Sequence, residues 1–239
     1  MEDVVLMEIE YGVALITLNR PHRHNAINQA LLARLFDCLD EVATNDDIKV
    51  AILTGQGKSF CSGLDLEIIM KDNLRDPRGD GKGFLEVRHA CKKPLIGAIN
   101  GHAITGGFEI ALNCDFLIAS EKASFTDSHA RVGIPPGWGM TQLLQQAVGQ
   151  RRAKQLSFTC QPLAADIALQ WGLVNEVVPH EKLIHRAKQL ATDICLANQD
   201  ILSTIKDLIE FQDGATLTES LAHEVRGCQE FAKKMQANF

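Results

Sequence analysis

The amino-acid sequence predicts an α/β fold, because strand-like and helix-like stretches alternate along it before a final run of helices. Apolar runs bounded by glycine or proline are too short for helices and indicate buried strands. Amphipathic stretches between and after them indicate helices. With 239 residues, the chain has room for one α/β domain and a helical extension. We therefore expect a core at residues 1–180 and a C-terminal helical region at residues 181–239.

The N-terminal part of the chain predicts a β-hairpin followed by a helix. Apolar and polar residues alternate over residues 4–18, on either side of the turn residues Tyr11-Gly12. Asn28 is a suitable N-cap for an amphipathic helix that ends near Ala43. The apolar stripe of this helix consists of Leu31, Leu32, Leu35, Phe36, Leu39 and Val42.

The next segment contains a strand and two turns or loops. Residues 49–54 predict a buried strand, and the glycine-rich residues 55–63 predict a turn. Leu64-Asp65 is expected to open a short helix. Residues 71–83 are rich in glycine and mixed charges and predict a mobile surface loop, which is either a lid near a site or a solvated connection. A helix is expected at residues 83–90.

The stretch at residues 93–120 carries the strongest signal of a functional site. Residues 94–99 predict a buried strand, and Gly106-Gly107 open a helix after a bend at Gly101. Residues 115–119 predict the following strand. A helix start made of two glycines leaves backbone N–H groups accessible to a ligand oxygen, and the helix dipole favours negative charge there.

Glu109 lies three residues after Gly106, which places a carboxylate about one helical turn from these N–H groups. An oxyanion site beside an acid or base is the minimum requirement for enolate chemistry. The structural alternative is that the glycines permit close packing and that Glu109 complements the helix dipole.

The remainder of the chain is mostly helical. Short strands are predicted at residues 123–125 and 173–178, and a stiff loop at residues 133–139. Helices are predicted at about residues 140–148, 151–158, 163–170, 180–196, 198–212 and 216–235.

The composition argues against several classes of function. A hydrophobic content of 46% with 23% charged residues is typical of soluble proteins. The net charge of −6 and the lack of a Lys/Arg cluster argue against a nucleic-acid partner. No apolar run approaches the ~18 residues of a membrane span, and no Cys or His spacing fits a metal site.

Cysteine usage and the first residues indicate the compartment. Seven cysteines without a CxxC pair predict reduced, buried thiols. The acidic start MEDVVLMEIE lacks the features of an export or transit signal. We therefore expect a cytoplasmic protein.

Five motifs occur in one order along the chain. They are Asn19-Arg-Pro-x-x-x-Asn25-Ala26, Phe60-Cys-Ser-Gly63-Leu-Asp65, Gly101-x-Ala-x-x-Gly106-Gly-x-Glu109-x-Ala-Leu-x-Cys114-Asp115, Gly133-x-x-Pro136-Gly137 and Ala168-x-x-x-Gly172-Leu-Val-x-x-Val-Val-Pro179. Together they resemble the crotonase family, which includes the enoyl-CoA hydratases and isomerases. The resemblance covers about residues 4–212, and the ordered set is far more specific than any single motif.

The resemblance implies a crotonase-type spiral of repeated ββα units with C-terminal helices that build a homotrimer or hexamer. It implies an acyl-CoA thioester as ligand. Coenzyme A would be part of the substrate, so no separate cofactor and no metal are expected. The backbone N–H groups of Leu64 and Gly106 would form the oxyanion hole for the thioester oxygen.

The resemblance also implies the path of CoA. The residues implied in substrate or CoA binding are Arg20, Arg23, Ala26, Asp65, Leu66, Glu67 and Trp138. Arg20 and Arg23 are candidate phosphate partners. For Arg20, a structural role beside Pro21 is an equally good alternative, and Asp65 is expected to cap its short helix.

Glu109 matches one of the two catalytic glutamates of the hydratases, whereas His129 stands at the position of the second. An imidazole can share the acid-base work, because its unperturbed pKa of about 6.5 lies near the operating pH. Beside an ionised Glu109, His129 should favour the imidazolium and could act as an acid or bind a substrate carboxylate. Asp127 is a candidate for orienting it. The alternative is a structural His129.

Trp138 is a second departure from the hydratase pattern, which has a small residue there. Its bulk should narrow or reshape the acyl pocket, unless the ring packs under the loop. The reading that fits these residues best is an enoyl-CoA hydratase-type lyase. The alternatives are another enolate reaction on the same fold, a decarboxylase or isomerase, and a non-catalytic acyl-CoA-binding homologue.

Overall fold

The structure, a computed structural model, describes residues 3–68 and 71–237. The chain forms two compact units, Met1–Cys195 and Leu196–Phe239. The sequence predicted a boundary at residue 180. In the structure, residues 181–195 belong to the first unit. Across the described residues, no helix is both long enough and apolar enough to cross a membrane.

The first unit alternates strands and helices, as predicted. Its strands are β1 (Val5–Glu10), β2 (Val13–Leu18), β3 (Val50–Gly55), β4 (Ser59–Cys61), β5 (Leu95–Ile99), β6 (His102–Ile104), β7 (Phe116–Ser120), β8 (Ser124–Thr126), β9 (Leu163–Ala164) and β10 (Glu176–Val178). Its helices are α1 (Gln29–Thr44), α2 (Phe84–Ala90), α3 (Gly106–Leu112), α4 (His129–Val132), α5 (Met140–Val148), α6 (Gln150–Thr159), α7 (Ala165–Trp171) and α8 (Leu183–Leu196). The second unit contains α9 (Gln199–Phe211) and α10 (Leu217–Ala237).

Two sheets organise the first unit. The larger has the strand order β1-β2-β3-β5-β7-β10, and the smaller has the order β4-β6-β8-β9. The β1–β2 and β8–β9 pairs are antiparallel, and the other pairs are parallel. The chain passes from β3 to β4, from β5 to β6 and from β7 to β8, so each pair places one strand in each sheet before a helix follows. This repeat is the expected ββα unit.

Local sequence features explain the N-terminal elements. Tyr11 and Gly12 have φ angles of 50° and 83°, which give the tight turn that a two-residue hairpin connection requires. The side chain of Asn28 accepts the backbone N–H of Leu31 at 2.9 Å and caps α1 as predicted.

The segment after β4 differs from its prediction. Residues 66–68 form a turn rather than a helix, and Ile69 and Met70 lie outside the described residues. The prediction that Asp65 caps a helix is therefore wrong for the described residues. Its carboxylate instead binds Arg20 and Arg23, which lie more than 40 residues earlier in the chain.

The loop at residues 71–83 is bound to α1. The backbone N–H of Gln29 donates to Asp72 at 2.7 Å, and the Gln29 side chain donates to the carbonyl of Pro77 at 3.0 Å. Arg78 lies 5.4 Å above the ring of Phe36 and pairs with Asp40 at 2.6 Å. These contacts fix a segment whose composition alone predicts mobility.

Candidate active site

Close backbone approach shapes the start of α3. A side chain on Gly107 would place its Cβ 2.1 Å from the carbonyl oxygen of Cys61, so only glycine fits there. Gly63 has a φ of 87°, and its missing Cβ would lie 3.3 Å from the backbone nitrogen of Gly106. The two glycines thus allow the segment after β4 to lie against the first turn of α3.

This approach brings the two predicted oxyanion donors together. Gly106 is the first residue of α3, so its backbone N–H has no partner within the helix. On the other segment, Ile27 donates to the carbonyl of Gly63 and accepts from the N–H of Asp65, as in a parallel bridge. Because Ile27 makes both of these bonds, the N–H of Leu64 is directed to the opposite side. The predicted hole for a thioester oxygen therefore has a consistent backbone geometry.

The residue before α3 has an unusual backbone conformation. Thr105 has a φ of 52° and a ψ of −114°, a region that costs energy for a residue with a side chain. Its backbone N–H donates to the carbonyl of Thr126 at 2.8 Å, and its hydroxyl contacts that of Ser128. These two contacts hold the strained turn that presents Gly106.

Glu109 is buried, with 3% of its surface exposed. Its Oε1 accepts three backbone N–H groups, from Gly137 at 3.2 Å, Trp138 at 2.7 Å and Met140 at 3.2 Å. These three bonds fix the orientation of the carboxyl group. They also occupy Oε1, so Oε2 is the oxygen that is left to exchange a proton with a bound molecule.

His129 faces the other oxygen of Glu109. Its Nε2 lies 3.5 Å from Glu109 Oε2, and its Nδ1 lies 2.8 Å from Oδ1 of Asp127. His129 is 7% exposed and Asp127 is 2% exposed, so both groups are shielded from bulk water. The structure brings together the two predicted catalytic residues, and it places Asp127, the candidate for orienting His129, in contact with the ring.

Burial and charge act in opposite directions on this cluster. Burial alone would lower the pKa of His129, but hydrogen bonds and charge from Asp127 and Glu109 outweigh it and raise the pKa to about 9. Burial would raise the pKa of Asp127, but hydrogen bonds from His129 and from the Ser157 side chain lower it below its ordinary value. Asp127 and Glu109 therefore favour the protonated form of His129.

A small cavity of about 50 Å³ opens beside His129. Its apolar lining comes from Leu64, Leu66, Val132 and Ile134, and its polar lining from Ser62, Thr105, Ser128 and His129. A water molecule needs about 10–15 Å³ by this kind of measure, so the cavity accommodates only a few non-hydrogen atoms.

Five of the seven residues implied in CoA binding lie along a more open groove of about 280 Å³. Arg23, Ala26, Asp65, Leu66 and Glu67 all line it. Arg23 is 36% exposed and pairs with Glu67 at 2.6 Å and with Asp65 at 3.1 Å. Its guanidinium is thus present at the groove surface and is held by two carboxylates.

Arg20 is turned toward the protein interior. Its side chain is 13% exposed, donates to the carbonyl of Ala26 and pairs with Asp65 at 3.2 Å. Among the described residues, those that line the groove do not include Arg20. These contacts support the structural alternative for Arg20. Burial would raise the pKa of Asp65, but Arg23 and Arg20 lower it.

The Trp138 side chain packs between α2 and α3. Its ring centroid lies 5.1 Å from that of Phe84, and its Cζ3 lies 3.5 Å from the position that a Cβ on Gly106 would occupy. The described residues around the small cavity do not include Trp138. Its main contact with the predicted catalytic residues is its backbone N–H, which donates to Glu109.

Sequence reasoning did not identify the backbone groups that hold Glu109. The motif Gly133-x-x-Pro136-Gly137 marked the loop as stiff but gave no sign of its partner. The side chain of Asn113 donates to the carbonyl of Trp138 at 2.8 Å and so fixes the loop against α3. Asn113 stands four residues after Glu109. This spacing, which places both residues on one helical face, was the available signal in the sequence that Asn113 lies near the site.

Comparisons with known proteins agree with this geometry. A family model described as enoyl-CoA hydratase/isomerase matches residues 8–238. The chain is 41% identical over 209 residues to a probable peroxisomal enoyl-CoA hydratase 1 of Arabidopsis thaliana, covering 86% of this chain and 77% of the relative. It is also 41% identical over 195 residues to a short-chain-enoyl-CoA hydratase of Clostridium acetobutylicum, covering 80% of this chain and 74% of the relative.

Solved structures give the same result at the level of the fold. An enoyl-CoA hydratase structure from Mycobacterium avium is 40% identical, with a TM-score of 0.80 over 98% of this chain and 99% of that one. A Geobacillus kaustophilus enoyl-CoA hydratase subunit superimposes with a TM-score of 0.88 over 96% of this chain and 90% of that one, at 29% identity. The chain belongs to the enoyl-CoA hydratase/isomerase, or crotonase, family.

Proposed function

We propose that the protein is a hydro-lyase that adds water to a short-chain 2-enoyl-CoA. The observation that carries this proposal is the 3.5 Å separation of Glu109 Oε2 and Nε2 of His129, a residue that also lines the small cavity. One water oxygen can lie about 2.8 Å from both atoms, which is hydrogen-bond distance. The pair is therefore built to hold one water next to an acyl group.

The two groups have complementary roles. Water attacks C3 of the enoyl group and gives a proton to Oε2 of Glu109, while the electrons of the C2–C3 double bond move to the thioester oxygen. The N–H groups of Leu64 and Gly106 stabilise the resulting enolate; losing one such donor typically costs ~3–4 kcal/mol of barrier. The enolate then takes a proton at C2 from Nε2 of His129.

The charge balance of the cluster restores the starting state. After hydration, Glu109 is a neutral acid and His129 is a neutral imidazole. Transfer of one proton from Oε2 to Nε2 across the 3.5 Å gap, directly or through the next water, regenerates the carboxylate and the imidazolium. A cycle of this kind needs no cofactor besides the CoA of the substrate, and we propose none. Activity that survives dialysis against a metal chelator would agree with this.

The same charges weigh against decarboxylation. The imidazolium of His129 is flanked by two carboxylates, Glu109 and Asp127, so the three groups together carry a net negative charge. Such a cluster repels the carboxylate of a malonyl-type substrate. A non-catalytic binder, in turn, would have no need of a carboxylate held by three backbone N–H groups beside an imidazolium.

The direct test is the loss of the ultraviolet band of the conjugated enoyl thioester when the purified protein is mixed with 2-enoyl-CoAs of increasing chain length. We expect rapid loss with four-carbon acyl chains and formation of 3-hydroxyacyl-CoA, identified by mass. Glu109→Gln should lower turnover by at least the ~10²–10⁴-fold typical of an acid-base group, while CoA binding persists. The control is Glu121→Gln, at an exposed position.

Two outcomes would contradict the proposal. Undiminished hydration by Glu109→Gln would remove Glu109 from the mechanism. CoA binding without hydration of any chain length would favour an isomerase, a decarboxylase or a silent binder, and the same mixtures would then be searched for shifted double bonds or for loss of carbon dioxide from malonyl-type thioesters.

We further propose that the chain assembles as a homotrimer or hexamer. In the second unit, α9 has no buried residue, and apolar side chains on α9 and α10 are exposed; these are Ile205, Ile209, Leu217, Leu221 and Val225. Such a surface is unfavourable in water and suits an interface between copies. Light scattering on the eluted protein should give three or six times the chain mass. A monomer would contradict this proposal.

A cytoplasmic location is also proposed, because Cys38, Cys61 and Cys160 are buried thiols that form no disulfide. The relative from Arabidopsis is named peroxisomal, and one from Dictyostelium discoideum is named mitochondrial. Fractionation of cells that express the tagged full-length protein should distinguish the three compartments, and recovery with an organelle marker would refute the proposal.

A further inference from the structure

We propose that Asp127 is a positioning residue that keeps His129 doubly protonated and directs its Nε2–H toward Glu109. This proposal rests on the hydration function above, but it can be tested without substrate. The resemblance to the family assigns no role to Asp127, which the sequence offered only as a candidate for orienting His129.

The first argument is the position of His129 between two carboxylates. Nδ1 lies 2.8 Å from Oδ1 of Asp127, and Nε2 lies 3.5 Å from Oε2 of Glu109. A neutral imidazole has one N–H and one lone pair, so one of its nitrogens would direct a lone pair at a carboxylate oxygen. Only the imidazolium donates from both nitrogens. The two distances therefore favour the imidazolium form of His129, whichever nitrogen would carry the proton in the neutral ring.

The second argument is that Asp127 fixes the ring as well as its charge. Oδ1 of Asp127 accepts both Nδ1–H and the backbone N–H of His129, the latter at 3.2 Å. His129 is the first residue of α4, so its backbone N–H has no helical partner, and the carboxylate satisfies it. One carboxylate oxygen thus ties the ring to its own backbone and restricts rotation about the side chain.

The third argument concerns the surroundings of Asp127 and His129. Asp127 is 2% exposed, so its carboxylate faces the ring away from bulk water. The charged groups that face His129 from the neighbouring elements are Glu109 of α3 and Asp127, and both favour the protonated ring. Asp127 is the nearer of the two.

The proposal predicts a specific pH signature. With Asp127 intact, turnover should fall as pH rises through about 9, where His129 loses its proton. Asp127→Asn keeps the size of the side chain but removes one charge, so the imidazolium should be lost at lower pH, toward the ordinary value of about 6.5. At pH 8.5 we expect kcat to fall by about tenfold or more, with KM nearly unchanged. The upper limit of the fall is the ~10²–10⁴-fold that a general acid contributes. At pH 6 most of the loss should be recovered.

The decisive measurement is the titration of His129 by ¹⁵N NMR of the ligand-free, full-length protein, with His129→Gln used to assign its signals. We expect both ring nitrogens to be protonated at pH 8 in the wild type and the midpoint to be lower in Asp127→Asn. The matched control is Asp46→Asn, which removes one negative charge at an exposed position and should change neither the titration nor kcat. A merely structural Asp127 would leave the midpoint of a folded variant unchanged.

The wild type alone tests the proposal in case Asp127→Asn does not fold. A neutral ring at pH 8, with one nitrogen unprotonated, would overturn the positioning role. A lowered His129 midpoint in Asp127→Asn supports this role even where the wild type hydrates no enoyl-CoA, which would refute only the proposed function. Hydration by a protein whose His129 titration and kcat are the same in wild type and Asp127→Asn would overturn the positioning role alone.

Discussion

The ring centroid of Phe84 lies 5.1 Å from that of Trp138. The backbone N–H of Trp138 makes the shortest of the three hydrogen bonds to Glu109, at 2.7 Å. Phe84 begins α2, directly after the loop that is bound to α1. The aromatic contact therefore connects the packing of α2 with the loop that orients the Glu109 carboxylate. Because Phe84 is 3% exposed, this connection lies in the core.

We expect Phe84→Ala to destabilise the protein by ~3–5 kcal/mol, as for other buried aromatic truncations. It should also lower kcat, since Trp138 loses the ring that supports it. Urea unfolding and steady-state kinetics would measure both effects. Phe158→Ala is the matched control, because Phe158 is 75% exposed and its truncation should cost little. Equal effects of the two substitutions would contradict the role given to Phe84.

Stability should also depend on the protonation of His129. Its pKa is raised in the folded protein to about 9, from an ordinary value of about 6.5. The stabilisation is therefore complete below pH 6.5 and is lost as pH rises through about 9. Thermal unfolding between pH 6 and pH 10 should show this decline in the wild type. His129→Gln should lack this part of the decline, and identical pH profiles would show that His129 is not protonated in the fold.

Arg20 and Arg23 should differ in what their loss affects. Arg20→Ala removes one partner of the buried Asp65 and a donor to the carbonyl of Ala26. A broken buried pair typically lowers the free energy of unfolding by ~3–5 kcal/mol. We expect a value near the lower end of this range, because Arg23 still contacts Asp65. Arg23→Ala should instead raise the KM for the CoA substrate, since its guanidinium lines the groove. Chemical unfolding and kinetics on both variants would separate the roles, and a reversed pattern would place Arg20 in the CoA site.

The small cavity should limit acyl-chain length. Ile134 lines it, so Ile134→Ala should enlarge it. We expect kcat/KM for six- and eight-carbon 2-enoyl-CoAs to rise relative to the four-carbon substrate by about tenfold or more, the scale of discrimination for one or two methylenes. Ile9→Ala, at an exposed strand position, is the control. An unchanged preference would show that other residues limit the chain.

Much of the fold was predictable because its signals are local. Asn28 caps α1 through its own side chain, and Tyr11-Gly12 form the hairpin turn that their residue types favour. The position of Glu109 beside Gly106 also follows from helical spacing alone. The family motifs added the oxyanion donors and the replacement of a glutamate by His129.

The contacts that were not predicted are long-range. Asp65 binds Arg20 across 45 residues, and the prediction of a helix cap failed because local propensity does not report such a partner. In the same way, Arg78 binds Asp40 from a loop whose composition indicates mobility. The three N–H groups that hold Glu109 come from a backbone segment 28 to 31 residues away. Because every residue except proline has a backbone N–H group, the residue types do not show which of these groups bind Glu109.

The occupation of Oε1 of Glu109 by three backbone N–H groups has a stereochemical consequence. In the proposed mechanism, Oε2 takes the proton of the attacking water, and Nε2 of His129, 3.5 Å away, supplies the proton to C2. Oxygen and hydrogen are then delivered to the same face of the planar enoyl group. The product should be a single enantiomer of the 3-hydroxyacyl thioester, and reaction in heavy water should place one deuterium at C2, syn to the new hydroxyl group.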